Sequence, residues 1–462
     1  MNIQKGQLHD VAISDVAYGG KGIVHIEGFA VFVDQAVPGD RARIVITRKK
    51  KNYAEARVVS LLQPSSDRVS APCPYSGVCG GCKWQFLDYD RQLAYKRQHV
   101  VESLAHIALI KDVTVHPTLA SGLRFGYRNK VEFTCSDSRW RLPEEMQNQD
   151  LSRGFALGFH VPGVFHKVLD IEACRLQPDM GNRILGDVRR YIQSSEMPMY
   201  CPRTHKGFWR FIMLRHSLAH DRWMVNLITA AENSNAVQPL ADLLKNKYSQ
   251  IISVVNNITA KKASISVGER EITLSGDSHL TDRICGFEFD ISANSFFQTN
   301  SRGAETLYLT VMAYAGLTGN ETVFDLYCGT GTIAICLSKA ARRVVGFEIV
   351  DAAVSDAEKN CLKNGVTNCT FYRGDIKDRL SEALHTPDVM IIDPPRDGMH
   401  KSVVQQVLNI LPERIIYVSC NPATLARDLG LMKDAYQVVE VQPVDMFPHT
   451  FHIESVARLQ KR

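Results

Sequence analysis

The sequence predicts a multidomain protein with a small OB-like β-barrel, an α+β central domain and a doubly wound, Rossmann-like α/β domain, in that order. Its 462 residues are too many for one compact core, since domains average roughly 100–200 residues. From about residue 296, apolar strands alternate with helices, which is typical of a doubly wound sheet. Residues 118–292 instead mix short strands and turns, which indicates an α+β arrangement.

Residues 1–62 carry the pattern of the barrel. Runs such as GIVHIEGFAVFVD and RARIVITRK are rich in β-branched residues, and turn signals at 19–20 and 38–40 separate them. Five or so short strands fit an OB-like barrel, a common platform for nucleic acids. The basic run at 48–51 falls on one turn, where it is either a solvated hairpin tip or a contact for RNA phosphates.

The other two domains are each predicted to use two separate segments. Residues 63–84 are rich in proline, serine and cysteine and indicate a loop. The next segment, DYDRQLAYKRQHVVESLAHIA, has the apolar spacing of an amphipathic helix, and one further helix is expected near 179–194. We therefore assign 1–62 to the barrel, 63–84 and 118–295 to the central domain, and 85–117 and 296–462 to the C-terminal domain.

The composition favours an ordinary cytoplasmic protein. Hydrophobic residues make up 45% and charged residues 22% of the chain. We find no signal-peptide pattern and no run of about 18 apolar residues, so neither export nor a membrane span is expected. The twelve cysteines are then expected to be metal ligands, nucleophiles or core residues. A net charge of +5 permits an RNA partner without demonstrating one. The sequence does not define an oligomeric state, and a monomer is expected.

Four predicted strand ends in the C-terminal domain carry the residues of a cofactor site. The motif DLYCGTGT at 325–332 puts two glycines in a strand-to-helix turn, where a ligand can approach the backbone. Glu348 ends the next strand and can accept hydrogen bonds from both ribose hydroxyls. Asp375 follows the third strand, where it could reach an adenine amino group, and Asp393 follows the fourth. Together these features resemble the S-adenosylmethionine-binding core of Rossmann-like methyltransferases.

The residue after Asp393-Pro394-Pro395 indicates which atom is methylated. Methyltransferases that act on adenine amino groups usually have an aromatic residue there, and this chain has Arg396. The alternative is a carbon. Uracil C5 becomes nucleophilic once a thiolate has added to C6, and a base must then remove the C5 proton. The candidates are Cys420, at a predicted strand end before a helix, and Glu454, which opens an apolar run.

At this point the motifs resemble a known family over nearly the whole chain. SCNP at 419–422, FHIESVARL at 451–459, DLYCGTGT and DPPRDG resemble the RNA (uracil-C5)-methyltransferases. The resemblance implies that Cys420 is the nucleophile, that Glu454 is the general base and that S-adenosylmethionine is the methyl donor. Phe296, Phe297 and Arg396 are candidate contacts for a base turned out of the RNA. The resemblance implies cofactor contacts from Gln298, Tyr327, Thr332, Glu348, Asp375 and Asp393.

A second motif consists of Cys73, Cys79 and Cys82, with two glycines that let the backbone fold tightly round a metal centre. The residues alone leave the fourth ligand open between Cys174, the better candidate, and Cys135. They also leave the metal open, because zinc and iron–sulfur clusters both accept four cysteines. Four other cysteines are expected to be core residues: Cys328, Cys336, Cys361 and Cys369.

The cysteine motif and the barrel together narrow the resemblance to the RlmD-like branch of the family. That branch implies a [4Fe–4S] cluster on Cys73, Cys79, Cys82 and Cys174, a TRAM domain as the barrel, and 23S rRNA as the substrate. The TrmA-like tRNA enzymes lack both features, yet the same chemistry on a tRNA T-loop uridine remains the alternative. A radical methyltransferase does not fit, because Cys73-x5-Cys79 departs from Cys-x3-Cys-x2-Cys. The presence of both Cys420 and Glu454 disfavours a non-catalytic RNA-binding protein.

Overall fold

The computed structural model describes residues 3–146, 154–262, 266–380 and 385–462, and these ranges include every predicted site residue. Within them the chain builds three β-sheets and one separate hairpin. No helix in the described ranges has the length and apolar character needed to cross a membrane.

The N-terminal sheet has six strands: β1 (Leu8–Ala12), β2 (Asp15–Val16), β3 (Gly22–Ile26), β4 (Phe29–Asp34), β5 (Arg41–Lys49) and β6 (Tyr53–Gln63). Their order is β1-β5-β6-β4-β3-β2. The strands β1 and β2 form opposite edges of the sheet, although they are almost continuous in the chain. This single segment therefore closes the sheet into a barrel, whose buried interior includes Val31, Val33 and Ile44.

The next segment leads away from the barrel as helix α1 (Tyr89–Ser103), a π-helical turn (Leu104–Ala108) and the short strand β7 (Thr114–Val115). The side chain of Asp88 caps α1 by accepting hydrogen bonds from the backbone N–H groups of Asp90 and Arg91. The predicted amphipathic helix is therefore present, and it begins at Tyr89.

The central sheet contains strands β8 (Lys130–Ser136), β9 (Arg139–Trp140), β10 (Ala156–Val161), β11 (Val164–Asp170), β12 (Trp209–Ser217), β13 (Arg222–Thr229), β14 (Ile251–Ile258) and β15 (Arg270–Gly276). Their order is β15-β14-β13-β12-β8-β10-β11-β9, and most neighbouring strands are antiparallel. Helices α2 (Asp179–Ser194) and α3 (Ser234–Lys247) pack their apolar sides into the same core as this sheet. A hairpin of β16 (His279–Ile284) and β17 (Phe287–Ser292) follows.

The prediction of a single helix in this region was wrong, because α3 is a second one. Pro239 lies inside α3 and suggests a break in the pattern. The stripe of Val237, Leu240, Ala241 and Leu244 is nevertheless completely buried, and this burial stabilises the helix.

The C-terminal domain alternates helices and strands: α4 (Ser301–Ala315), β18 (Thr322–Leu326), α5 (Thr332–Leu337), β19 (Arg343–Glu348), α6 (Asp351–Lys363), β20 (Cys369–Arg373), α7 (Ile376–Arg379), β21 (Val389–Ile392), α8 (Lys401–Ile410), β22 (Arg414–Ser419), α9 (Pro422–Met432), β23 (Tyr436–Val444) and β24 (Glu454–Lys461). The sheet order is β20-β19-β18-β21-β22-β24-β23-β7. The first five strands are parallel, while β24 is antiparallel to both of its neighbours. The chain order reverses beside β18, and ligands bind at such a switch point in open α/β sheets.

Candidate active site

A cavity of about 550 Å³ lies at the carboxyl ends of the parallel strands of the C-terminal sheet. It contains both predicted catalytic residues, Cys420 and Glu454, and five of the six predicted cofactor residues. The sixth, Asp375, lines an adjoining cavity of about 290 Å³ that shares Tyr327 and Glu348 with the first. The cofactor residues in the larger cavity are Gln298, Tyr327, Thr332, Glu348 and Asp393.

The turn between β18 and α5 follows the glycine-rich prediction. Tyr327, Gly329 and Gly331 have positive φ angles of 65°, 55° and 73°. A Cβ on Gly331 would lie 2.9 Å from the side chains of both Ala357 and Phe371. Only glycine therefore combines this backbone conformation with this close packing. The positive φ of Tyr327 is unusual for a residue with a Cβ, and such strain is often found at functional sites.

Glu348 is held in place by the turn itself. Its carboxylate accepts hydrogen bonds from the backbone N–H of Gly329 at 3.0 Å and of Val350 at 2.8 Å. Asp375 is similarly fixed, because it accepts from the backbone N–H of Lys377 and pairs with the Lys377 ammonium, both at 3.0 Å. These bonds hold the pKa of Asp375 below its ordinary value. Both carboxylates are thus oriented before any ligand binds.

Two further carboxyl groups lie beneath the turn, and one of them, Asp393, is partly exposed. Desolvation raises the pKa of Asp393 to about 7. Asp325 is completely buried, and desolvation together with the nearby Asp393 raises its pKa well above the ordinary value. Neither carboxylate oxygen of Asp325 has a hydrogen-bond partner among the described residues, and the residue lines the cavity. Asp325 was not among the predicted site residues, although it is the first residue of DLYCGTGT.

Cys420 and Glu454 lie side by side at the edge of the sheet. The antiparallel pairing of β22 with β24 places Ser419 opposite Ser455. Cys420, the residue after Ser419, therefore faces Glu454, the first residue of β24. Directly after Cys420, the side chain of Asn421 caps α9 by accepting from the backbone N–H of Ala423. Cys420 is therefore fixed between a strand end and a helix start.

Burial raises the pKa of both groups. Desolvation and, to a smaller extent, the nearby Asp393 raise the pKa of Glu454 to about 8. Desolvation and the neighbouring Glu454 raise the pKa of Cys420 to about 11. Arg396 counteracts both shifts, because its nearby guanidinium favours the two anionic forms. The backbone carbonyl of Arg396 also accepts hydrogen bonds from Asn421 and Thr424, which ties it to the start of α9.

The two predicted phenylalanines differ in position. Phe297 is only 5% exposed and packs against Phe289 of β17. Phe296 is 71% exposed and lines the mouth of the cavity. The structure also adds Tyr18 of the barrel, whose hydroxyl donates to the backbone carbonyl of Cys420 at 3.4 Å. No sequence signal linked Tyr18 to a residue 402 positions away.

The four predicted cluster cysteines line one cavity of about 400 Å³ between the 73–82 loop and the central sheet. Burial is the main cause that raises the pKa of Cys79 to about 12 and the pKa of Cys82 to about 11, and the neighbouring sulfurs contribute to both increases. The competitor Cys135 does not line the cavity and is completely buried in the central core. Among the described residues, no group of three or more His, Cys, Asp or Glu is close enough to hold a single metal ion.

The sheet order and the four strand ends define the class of the protein, an S-adenosylmethionine-dependent methyltransferase with a Rossmann-like catalytic domain. The sequence profile described as tRNA (Uracil-5-)-methyltransferase matches residues 217–462, and the TRAM domain profile matches residues 3–59. An RNA methyltransferase of Chlorobaculum tepidum is 42% identical over 99% of this chain and 97% of its own length. One of Porphyromonas gingivalis is 42% identical over 97% of this chain and 98% of its own.

A solved structure is similar over almost the same extent. The Pyrococcus abyssi tRNA (uracil-54, C5)-methyltransferase in complex with S-adenosyl-L-homocysteine is 27% identical, with a TM-score of 0.76, over 98% of this chain and 100% of its own. The chain therefore belongs to the tRNA (uracil-5-)-methyltransferase family and is an S-adenosylmethionine-dependent RNA (uracil-C5)-methyltransferase. The prediction of an N-terminal TRAM domain is confirmed.

Proposed function

We propose that this enzyme methylates C5 of a specific uridine in 23S rRNA through a covalent bond between Cys420 and uracil C6. The observation that carries the proposal is the direct neighbourhood of Cys420 and Glu454 on paired strands, in the cavity that also contains the cofactor residues. One group can add to the ring and the other can remove a proton from it, without movement of the sheet.

The steps follow from the positions of these side chains. The Cys420 thiolate adds to C6, and the ring becomes an enolate that is nucleophilic at C5. S-adenosylmethionine supplies the methyl group as an electrophilic sulfonium. Once C5 carries both the methyl group and its original hydrogen, Glu454 takes that hydrogen as a proton. The electrons of the C5–H bond then form the C5–C6 double bond again, and the C6–sulfur bond breaks to release Cys420.

The cofactor residues have distinct proposed tasks. Glu348 accepts hydrogen bonds from the two ribose hydroxyls, and Asp375 accepts from the adenine amino group. Gln298, Tyr327, Thr332 and Asp393 complete the contacts along the same cavity. The backbone bonds that orient Glu348 and Asp375 support these tasks, because a preoriented carboxylate loses little entropy when the ligand binds.

We further propose that Cys73, Cys79, Cys82 and Cys174 hold a [4Fe–4S] cluster. The four cysteines line one cavity of about 400 Å³, and four-cysteine ligation is the usual way in which proteins hold such a cluster. These cysteines are distant from Cys420 in the chain, which supports a structural role for the cluster.

The rRNA target is supported by the barrel and the cysteine site, which together resemble the RlmD-like branch. A second candidate, a tRNA T-loop uridine, is favoured by one observation: the similar solved structure is of a tRNA enzyme and matches 98% of this chain. With either RNA, we propose that the enzyme acts as a cytoplasmic monomer.

The test is to incubate the protein with radiolabelled S-adenosylmethionine and either 23S rRNA or tRNA, and to map the methylated nucleotide. We expect 5-methyluridine at one site in the rRNA.

Cys420→Ala should abolish methylation while retaining cofactor binding. Glu454→Gln should leave a covalent protein–RNA adduct on denaturing gels, because elimination requires the base. Turnover by Cys420→Ala, or methylation of tRNA alone, would contradict the corresponding part of the proposal.

A further inference from the structure

The barrel is held against the catalytic domain at the turn between β2 and β3. In this turn the carbonyl of Gly20 accepts a hydrogen bond from the indole N–H of Trp84 at 3.3 Å. The carbonyl of Val16 lies 3.0 Å from Nε2 of His99, a buried residue of α1. A Cβ on Gly20 would lie 3.1 Å from the Trp84 indole nitrogen, so the turn fits closely. The position of this part of the barrel relative to the active site is therefore fixed.

Tyr18 lies in the same turn and contacts Cys420, which lines the active-site cavity. Its ring is in edge-to-face contact with Phe451 at 5.5 Å and with His99 at 5.9 Å. Its hydroxyl donates to the backbone carbonyl of Cys420, and Arg396 and Glu454 are near enough to influence its charge. Despite these contacts, 40% of the residue is exposed. The ring is thus fixed on one side and accessible on the other.

Residues of the same turn also line a second cavity. Gly19, Gly20 and Lys21 line a groove of about 550 Å³ between the barrel, the 77–86 loop and the edge of the central sheet. The groove carries the cations Lys21, Arg57, Lys83 and Arg141 and the carboxylate Asp34. Lys21 pairs with Asp34 at 3.4 Å and with Glu55 at 3.3 Å. A groove that carries four cations attracts a phosphate backbone, and Tyr18, the residue directly before Gly19, offers an aromatic ring on which a base can stack.

We propose that Tyr18 forms the barrel's side of the entrance through which the target uridine reaches Cys420, and that its ring stacks on a nucleotide of a single-stranded RNA segment lying in the groove. This inference rests on the proposed function and adds a positioning residue to it. The barrel then does more than bind RNA, since it sets which nucleotide is presented to the nucleophile. The hydroxyl has a separate effect, because it orders the backbone at Cys420.

The test compares Tyr18→Ala and Tyr18→Phe with the wild type on the RNA transcript that the wild type methylates. Tyr18→Ala should raise KM for RNA about tenfold or more, because it removes a stacking surface. KM for S-adenosylmethionine should stay within about twofold. Tyr18→Phe keeps the ring and should keep KM for RNA, with a lower kcat from the lost hydrogen bond. Tyr53→Ala is the matched control, because Tyr53 packs against Phe32 elsewhere in the same barrel.

A crosslinking experiment with the wild-type enzyme tests the position of Tyr18 even if a variant fails to fold. RNA with 4-thiouridine next to the target position is irradiated with the wild-type enzyme, and the crosslinked peptide is identified by mass spectrometry. A crosslink to the peptide that contains Tyr18 supports the proposal. Crosslinks confined to other peptides, or an unchanged KM for RNA in folded Tyr18→Ala, would overturn it. If the wild type methylates no uridine in any RNA, the proposed function fails and this inference fails with it.

Discussion

At the scale of single residues, the proposed chemistry depends on how charge is balanced around Cys420. In the proposed mechanism the thiol and Glu454 both lose protons, although they are neighbours in a site that also contains Asp393. Arg396 is the cation that favours both anions. The sulfonium of the methyl donor would add a second positive charge, so the ionised pair should form more readily once the donor is bound.

The burial of Glu454 has a measurable consequence for stability. Its pKa is raised from 4.5 to about 8 in the folded protein. A carboxyl group whose pKa is raised by folding stabilises the protein below its unfolded pKa, and this stability is lost as the pH rises through about 8. Glu454→Gln should therefore be more stable than the wild type by a few kcal/mol at about pH 9 and similar to it at about pH 4, as measured by urea unfolding.

The exposed Glu413 provides the control for this experiment. Its side chain is 68% accessible, so Glu413→Gln should give no gain in stability that grows with pH. Equal unfolding free energies for Glu454→Gln and wild type at both pH values would show that Glu454 ionises freely in the folded state.

At the scale of elements, helix α1 supports the loop that leads to Glu454. Lys96 of α1 is completely buried and pairs with Asp445 at 2.6 Å, and Tyr89 donates to the same carboxylate at 2.8 Å. Gln92 accepts from the backbone N–H of His449 at 2.9 Å. Removal of one partner from a buried pair usually costs about 3–5 kcal/mol, so these contacts fix the loop firmly. A helix distant in the chain from Glu454 thereby sets its position.

The glycine-rich turn offers a matched pair of variants. Gly329 and Gly331 both have positive φ, but only a Cβ on Gly331 would meet neighbouring atoms, at 2.9 Å. Gly329→Ala should lower stability by about 1–2 kcal/mol, the cost of the left-handed conformation. Gly331→Ala should cost more and should weaken S-adenosylmethionine binding further, because α5 must shift away from Phe371. Thermal unfolding and calorimetric titration measure the two effects, and equal losses from both variants would contradict the packing argument.

At the scale of the whole molecule, the C-terminal sheet was the most predictable part. The strand ends at Leu326, Glu348 and Ser419 follow from local patterns, because buried parallel strands are continuous apolar runs bounded by turns. Contacts between domains have no such pattern. The approach of Tyr18 to Cys420 depends on how the barrel packs against Trp84 and His99, and the sequence does not encode that packing locally.

The cysteine cavity brings together two segments that are distant in the chain, and local sequence patterns do not predict this contact either. Cys73, Cys79 and Cys82 come from the loop after the barrel, and Cys174 comes from the segment before α2. Removal of the proposed cluster should therefore loosen the loop after the barrel from the central sheet. Anaerobically purified protein should be brown, with broad absorption near about 400 nm, as expected for iron–sulfur ligation.

Cys174→Ala should lose the cluster absorption and most of its iron and should unfold at a lower temperature than the wild type. Cys135→Ala is the matched control, because Cys135 lies in the same domain but outside the cavity, and it should retain both colour and iron. Metal analysis and absorption spectra provide the measurement. Colourless protein with one zinc per chain, or iron lost from Cys135→Ala but retained in Cys174→Ala, would contradict the ligand set, since a four-cysteine cluster cannot keep its geometry after losing a thiolate.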